Sequence, residues 1–417
     1  MFKLCKYNFI MDKLERFNWK RTIQVNIFLL RILGLWPAGD GSYKCSPYTF
    51  YEMFVLLFFE IGHISVQTVN IFLILNNLQA LTGTIFVSLM EMLGVLKSYC
   101  LIKNMGKLKQ LLITLNSDLF QPKDLQQRNL IRPNLNAWTT VVSSFWFLTL
   151  IWLFFYNFSP ILDKTSKEYR LPFWAWYPYN TETSPQYELT YLHQFIGITY
   201  LTMINVNIDT LIAALNMYIG AQFDIICDNV RHFHNHETDT SADANKKIKH
   251  CIHHHREVLK FAEFTNNFYN WLIFLEFFVG GVSIGLAMFQ LTVVSVDESG
   301  SKSVLIIIFI KVVPFSGEFL SYLIYSNCIS VQVFMYCWFG NEIEVKSSNL
   351  PDAIFDSDWT SLPTEVKRNL IIFLIRVQRP LKMSAFGLFY LSLETFVKIM
   401  RTAWSYFALL RQVNSPK

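Results

Sequence analysis

Charge is what this sequence has least of. Asp, Glu, Lys and Arg make up 16% of its 417 residues, where a soluble protein carries about 25%. That shortage excludes the two or three water-soluble domains that a chain of this length would otherwise suggest. Paired-cysteine motifs are missing as well. Cys5, Cys45, Cys100, Cys227, Cys251, Cys328 and Cys337 form no CxxC pair and show no metal-ligand spacing. The N-terminal stretch holds Lys3, Lys6, Asp12, Lys13, Glu15, Arg16, Lys20 and Arg21, which leave no room for an uninterrupted apolar signal-peptide core. The N-terminus is therefore expected to stay in the cytosol. Catalytic constellations are absent too: of the histidines only His63 and His193 lie in or beside apolar segments, far apart and without a motif. Neither an enzyme nor a bound cofactor is expected. The net charge of +5 matters here for its distribution along the chain, and no nucleic-acid partner is expected.

What is present is apolar. Hydrophobic residues make up 52% of the chain, and 38 residues are Phe. A bilayer core about 30 Å thick needs roughly 20 apolar residues per helix. Seven segments qualify, and they predict an all-α membrane protein with seven transmembrane helices. They run from Tyr48 to Leu75, Leu81 to Ile102, Asn136 to Phe158, Tyr191 to Ile219, Phe268 to Val294, Val304 to Phe339 and Phe386 to Leu410. The shorter run 27–36 is interrupted by Arg31 and stopped by Pro37, so it reads as an interfacial helix. Pro314 is expected to bend the sixth helix.

Lys and Arg in the connecting segments set the orientation. Eight lie in the segment ending at Lys44, and six each in 103–133, 223–260 and 341–383. The opposite side holds Lys164, Lys167, Arg170, Lys302, Arg411 and Lys417. The bias predicts a cytosolic N-terminus and an extracellular C-terminus. That is the reverse of a G-protein-coupled receptor, which would also carry an extracellular disulfide and an NPxxY motif. Here no cysteine lies outside in this topology, and the chain closes on SYFALLRQ.

Two connections are unusual. LPFWAWYPYN (171–180) is rich in Trp and Tyr, and its prolines bar a long helix. It reads either as an aromatic belt at the headgroups or as a lid over an outward-facing pocket. The segment 223–260 carries His232, His234, His236, His250, His253, His254 and His255. Consecutive histidines on a helix point in different directions, so a solvated cytosolic loop is expected and no metal site.

From Tyr336 onward the chain contains YCWFGNE, AIFDSDW, LIRVQRPL, LSLETF and SYFALLRQ in that order. The whole of this region resembles the C-terminal signature of insect odorant receptors. LRILGLWP (30–37), LPFWAWYPYN with SPQYELTYLHQ (184–194), and CIHHHREVLKFAE (251–263) are similar to the family too. The resemblance implies a subunit of a tetrameric, ligand-gated cation channel in the plasma membrane of olfactory neuron dendrites. It implies four regions: a cytosolic segment at 1–44, helices one to six with a ligand pocket at 45–340, a cytosolic anchor at 341–385, and a pore-lining helix with an extracellular tail at 386–417. It also turns the aromatic loop from belt toward lid. A long insertion in the fourth–fifth loop is lacking, and the last motif begins SY rather than TY. The chain therefore resembles the tuned subunit, with the odorant co-receptor as partner, rather than the co-receptor or a gustatory-type homomer.

Laid on this sequence, the family's pore face falls on Thr402, Ser405, Leu409, Gln412 and Val413, with Leu409 as the gate. Arg411 is expected to face lipid headgroups or a neighbouring subunit. The family's pocket for a volatile organic ligand falls in the outer half of the bundle. It falls on Phe86, Leu89 and Met90, then on Trp146, Thr149, Leu150 and Leu153. It continues through Gln194, Phe195 and Ile198 to Phe315 and Tyr322. Permeating cations and membrane lipid are the remaining expected partners.

Overall fold

The computed structural model describes residues 16–37, 47–76, 78–234, 240–299 and 316–414. A short helix α1 (Gln24–Ile32) leads to α2 (Pro47–Leu73), which contains a π-helical stretch at Leu56–Ile61. Four long helices follow: α3 (Leu78–Leu115), α4 (Leu125–Leu162), α5 (Gln186–Arg231) and α6 (Ser241–Ser299). Next come α7 (Gly317–Ser348), α8 (Leu350–Phe355) and α9 (Thr364–Val377). A small hairpin of β1 (Ser384–Ala385) and β2 (Phe389–Tyr390) precedes α10 (Leu393–Asn414).

Among the described residues, the six helices α2 to α7 are long and apolar enough to cross a membrane. In lipid a spanning helix satisfies its own backbone hydrogen bonds, which is why helices carry these runs. α5 is buried on all sides along most of its length, and α3, α4, α6 and α7 pack around it. A helix apolar all round belongs at the centre of a bundle. α2 lies at the edge and exposes Phe50, Phe54, Leu57, Phe58 and Phe72, a surface suited to lipid.

Local signals set several helix ends. Asp124 caps α4 by accepting from the Gln127 N–H at 2.7 Å, and Ser316 caps α7 by accepting from the Phe319 N–H at 3.1 Å. Each satisfies a donor that the first turn of a helix leaves unpaired. Asp163, just past the end of α4, accepts from the N–H groups of Gly317 and Glu318 at 2.7 and 3.2 Å. Its negative charge suits the positive end of α7 and fastens these two helices together.

The structure refines the sequence reading in several places. The last apolar segment was expected from Phe386, but α10 begins at Leu393, because residues 384–390 double back through a turn. Phe386 and Gly387 both take positive φ there, +53° and +70°. α10 is 22 residues long, enough to span, yet Glu394, Lys398, Arg401 and Arg411 make it amphipathic rather than uniformly apolar. Thr395, Ala403 and Phe407 are buried against α6 and α7, and its other face is open. The interfacial helix occupies 24–32 rather than 27–36.

The histidine-rich segment is mostly helix, not loop. α5 continues to Arg231 and α6 starts at Ser241, so both run past the apolar spans. His254 and His255 are buried, because α6 turns them inward. His254 Nε2 meets Gln222 Oε1 at 2.9 Å, and the His255 ring packs on Phe223 and Phe373. His253 faces outward beside Glu257. The sixth expected span starts at Gly317 in the described residues, and 304–315, including Pro314 and Phe315, lies outside them.

Residues 362–383 form α9 and its flanks. Val366, Leu370, Phe373 and Val377 are buried on one stripe, which is the spacing of an amphipathic helix. Burial of such side chains stabilises the helix by about 1.5–3 kcal/mol each. Ile371, Ile372 and Ile375 remain exposed on the opposite side.

Candidate functional site

A cavity of about 60 Å³ lies between α3, α4, α5 and α7. Its walls are mainly apolar and aromatic: Met90 and Val87 from α3, Phe145 and Trp152 from α4, Ile198 and Leu201 from α5, and Tyr325 and Ile329 from α7. Polar groups enter from Glu91, Thr149, Asn205, Asp209 and Gln332. An apolar hollow with a few placed polar groups is the usual form of a small-molecule site.

Of the twelve pocket residues expected from the sequence, Met90, Thr149 and Ile198 line this cavity. Phe86 and Tyr322 stand one layer beyond it. The Phe86 ring packs edge-on against Tyr325 and Tyr322, with centroids 4.8 and 5.3 Å apart. The Phe86 carbonyl accepts from Tyr325 Oη at 2.9 Å and from Ser283 Oγ at 3.0 Å, which joins α3, α7 and α6. Leu153 is buried in the core, and Leu89 and Trp146 are half-buried. Phe195 packs on Phe158. Leu150 is 45% exposed and points away from the bundle interior. It follows the buried Thr149, and one residue along a helix turns the side chain by about 100°. Phe315 lies outside the described residues.

Gln194 does not line the cavity, but it holds the aromatic loop. Its Nε2 donates to the Phe173 carbonyl at 3.3 Å, and its Oε1 accepts from the Phe173 N–H at 3.4 Å. Ile198, one turn further along α5, is a cavity wall. The loop is also fastened by the Trp176 N–H to the Val66 carbonyl at 3.2 Å and by Tyr179 to Thr190 at 2.9 Å. Phe173 packs on His63, while Trp174 and Trp176 stay exposed. Burial pushes the Tyr177 phenol up to about 12. The loop is thus hydrogen-bonded to α2 and α5, one helical turn of α5 from the cavity, with its tryptophans still at the surface.

The second cluster of expected residues lies on α10. Thr402, Ser405, Leu409, Gln412 and Val413 all fall on its open face, with Leu409 59% and Val413 67% exposed. Thr402 and Ser405 hydroxyls donate to carbonyls one turn back, Lys398 at 2.9 Å and Arg401 at 3.0 Å. Arg411 is exposed as well.

The sequence reading missed a buried charge cluster beside the cavity. Lys97 of α3 is 1% exposed, and its Nζ stands 2.6 Å from Asp209 Oδ1 on α5 and 2.6 Å from Glu276 Oε2 on α6. Asp209 also accepts from Gln332 Nε2 and Tyr336 Oη of α7, both at 2.5 Å. Four helices therefore meet on one ionic network, and Asp209 and Gln332 present it to the cavity. The available signal was a charge inside each of three otherwise apolar spans, Lys97 together with Glu91 in the first of them, which marks a functional or pairing residue.

Comparisons with known proteins agree with this architecture. A family model described as 7tm Odorant receptor matches residues 77–404. Odorant receptor Or1 of Anopheles gambiae is 20% identical over 98% of this chain and 100% of its own length. Odorant receptor 13a of Drosophila melanogaster is 23% identical over 92% of this chain and 94% of its own. Among solved structures, the insect olfactory receptor OR5 of Machilis hrabei in complex with eugenol superposes with a TM-score of 0.78. It is 17% identical and covers 95% of this chain and 99% of that one. With a core of apolar helices around a cavity and a family match through most of its length, this chain belongs to the insect odorant receptor family of membrane proteins.

Proposed function

We propose that this chain is the ligand-tuned subunit of a heterotetrameric, non-selective cation channel. Its partner is the odorant co-receptor, and its place is the plasma membrane of olfactory neuron dendrites. α10 is the seventh transmembrane helix, with the N-terminus in the cytosol and the C-terminus outside. The bias of Lys and Arg toward one side supports that orientation. α9 and the segment around it form the cytosolic anchor between subunits, for which the exposed Ile371, Ile372 and Ile375 are suited.

One observation carries the reading: α7 both lines a mostly apolar cavity and, with α6, holds an open, small-hydroxyl face on α10. A volatile molecule that binds the cavity better in the open state shifts the population toward open. The route runs from Tyr325 through the Phe86 carbonyl to Ser283 on α6. Two residues on, Gly285 lies so close to α10 that an added Cβ would stand 3.0 Å from the Ala403 carbonyl oxygen. Movement of α6 and α7 then draws α10 from the channel axis and widens the ring at Leu409, where an apolar constriction closes the hydrated path.

The test is whole-cell current under a broad panel of volatiles, with this chain expressed alone and with an odorant co-receptor. Fast cation current that needs both subunits is the expected result. Ligand-evoked current from this chain alone would overturn the heteromeric reading.

A further inference from the structure

The cavity is lined by an excess of hydrogen-bond acceptors. Glu91 is 3% exposed and faces it, and neither carboxyl oxygen has a hydrogen-bond partner among the described residues. Its nearest basic group is His63 Nε2, 3.4 Å from Oε1. That nitrogen is already engaged. Ser88 Oγ donates to Gln67 Oε1 at 2.5 Å, which turns the Gln67 amide nitrogen toward His63 Nε2 at 3.1 Å. An amide nitrogen can only donate, so His63 Nε2 is its acceptor in that contact.

Asn205, also on the cavity wall, has its Oδ1 buried and without a partner. Its own Nδ2 places one of its two N–H groups on the Leu201 carbonyl at 3.1 Å. Against these three acceptor atoms stands one unpartnered donor of the lining, the indole Nε1 of Trp152. Buried polar atoms of this kind are costly unless something pairs them.

Charge and ring faces point the same way. Glu91, Asp209 and Glu276 place three carboxyl groups in or beside the cavity, and Lys97 supplies one ammonium. Trp152 and Tyr325 pack on each other at 5.4 Å between centroids, and with Phe145 they give the cavity aromatic walls. Aromatic faces attract a desolvated cation.

We propose that this cavity takes a small primary or secondary alkylamine, bound as its ammonium. The N–H groups donate to the Glu91 carboxylate and Asn205 Oδ1, and the alkyl part lies against the aromatic walls. The inference rests on the cavity being the ligand site of the proposed receptor. Size limits the ligand further. A cavity of ~150 Å³ holds benzene, and this one is about 60 Å³. An amine of roughly three or four heavy atoms, with slight expansion of the walls, is the scale that fits.

The test is binding to the purified full-length chain, followed by ligand-induced thermal stabilisation. Ethylamine and propylamine are compared with dimethyl ether and ethyl methyl ether, which match them in size but have no N–H to donate. A charge-assisted hydrogen bond makes the expected preference for the amine about tenfold to a hundredfold. Glu91→Gln keeps the shape, removes the charge and should bring the pair to within about threefold. Ile198→Trp fills the cavity and should abolish binding of all four molecules. Should Glu91→Gln fail to purify, Asn205→Leu serves in its place and should narrow the preference in the same direction.

Equal affinity for amine and ether in the wild type, or a preference that survives Glu91→Gln, overturns the amine assignment. If Ile198→Trp still abolishes binding in that case, the cavity remains the ligand site. Binding of neither class to the wild type, or binding that persists in Ile198→Trp, overturns the cavity reading itself.

Discussion

Replacing Lys97 with Met would leave two carboxyl groups facing each other in the middle of the bundle. Lys97, Asp209 and Glu276 are each almost wholly buried, and both ion pairs are 2.6 Å long. Met matches the volume of the Lys stem, so packing is kept and the lost charge dominates. Breaking a buried pair from one side costs about 3–5 kcal/mol, because the partner charge stays behind without compensation. The two carboxyls do not suffer equally. Asp209 keeps Gln332 and Tyr336 as donors, whereas Lys97 is the one ion-pair or hydrogen-bond partner of Glu276 among the described residues. Lys97→Met should therefore lower the melting temperature of the purified protein and its surface level. Adding Glu276→Gln should recover more of the loss than adding Asp209→Asn. Thermal melting in detergent, with surface labelling in cells, reads both effects. Lys97→Met with wild-type stability, or a better rescue by Asp209→Asn, would refute this account of the network.

Two further substitutions test contacts outside the network. At Gly285 a new Cβ would lie 3.0 Å from both the Ala403 carbonyl oxygen and Tyr406 Cβ. Gly285→Ala should push α10 outward at an overpacking cost of about 1–3 kcal/mol and change basal current; unchanged basal and ligand-evoked currents would contradict that coupling. Gln194→Leu strips both partners from the Phe173 backbone, a loss of about 1–3 kcal/mol. Limited proteolysis should then cut residues 171–185 sooner than in the wild type, and an unchanged rate would show that the loop is held by other contacts.

How much of this was legible in the sequence depended on which interactions set each feature. Apolar length is a local property, so the helices that became α2 to α7 could be read directly. The start of α10 could not, because a turn through Phe386 and Gly387 interrupts an apolar run that looks continuous. Helix phase decided the cavity residues. Thr149 and Leu150 are neighbours of similar promise in the sequence, yet one lines the cavity and the other is 45% exposed. His254 and His255 read as solvated because their burial depends on Gln222, Phe223 and Phe373 from other elements. Lys97, Asp209 and Glu276 lie on three helices more than sixty residues apart along the chain, so only their meeting in space shows that they form one group. Each was still visible as a charge in an apolar span, a signal that warranted a partner search. That Thr402, Ser405, Leu409 and Gln412 share one exposed face of α10 was legible from their three- and four-residue spacing.

In the proposed mechanism, ligand binding opens a path lined by this face of α10. That step is tested most directly by Leu409→Cys, expressed with the co-receptor and exposed from outside to a charged, membrane-impermeant thiol reagent. The five cysteines of the described residues are all buried, so the introduced thiol is the accessible one on α10. The expected result is a persistent change in current that develops faster while an activating volatile is present. Current that is unaffected by the reagent, in channels confirmed to be at the surface and responsive to the ligand, would contradict it.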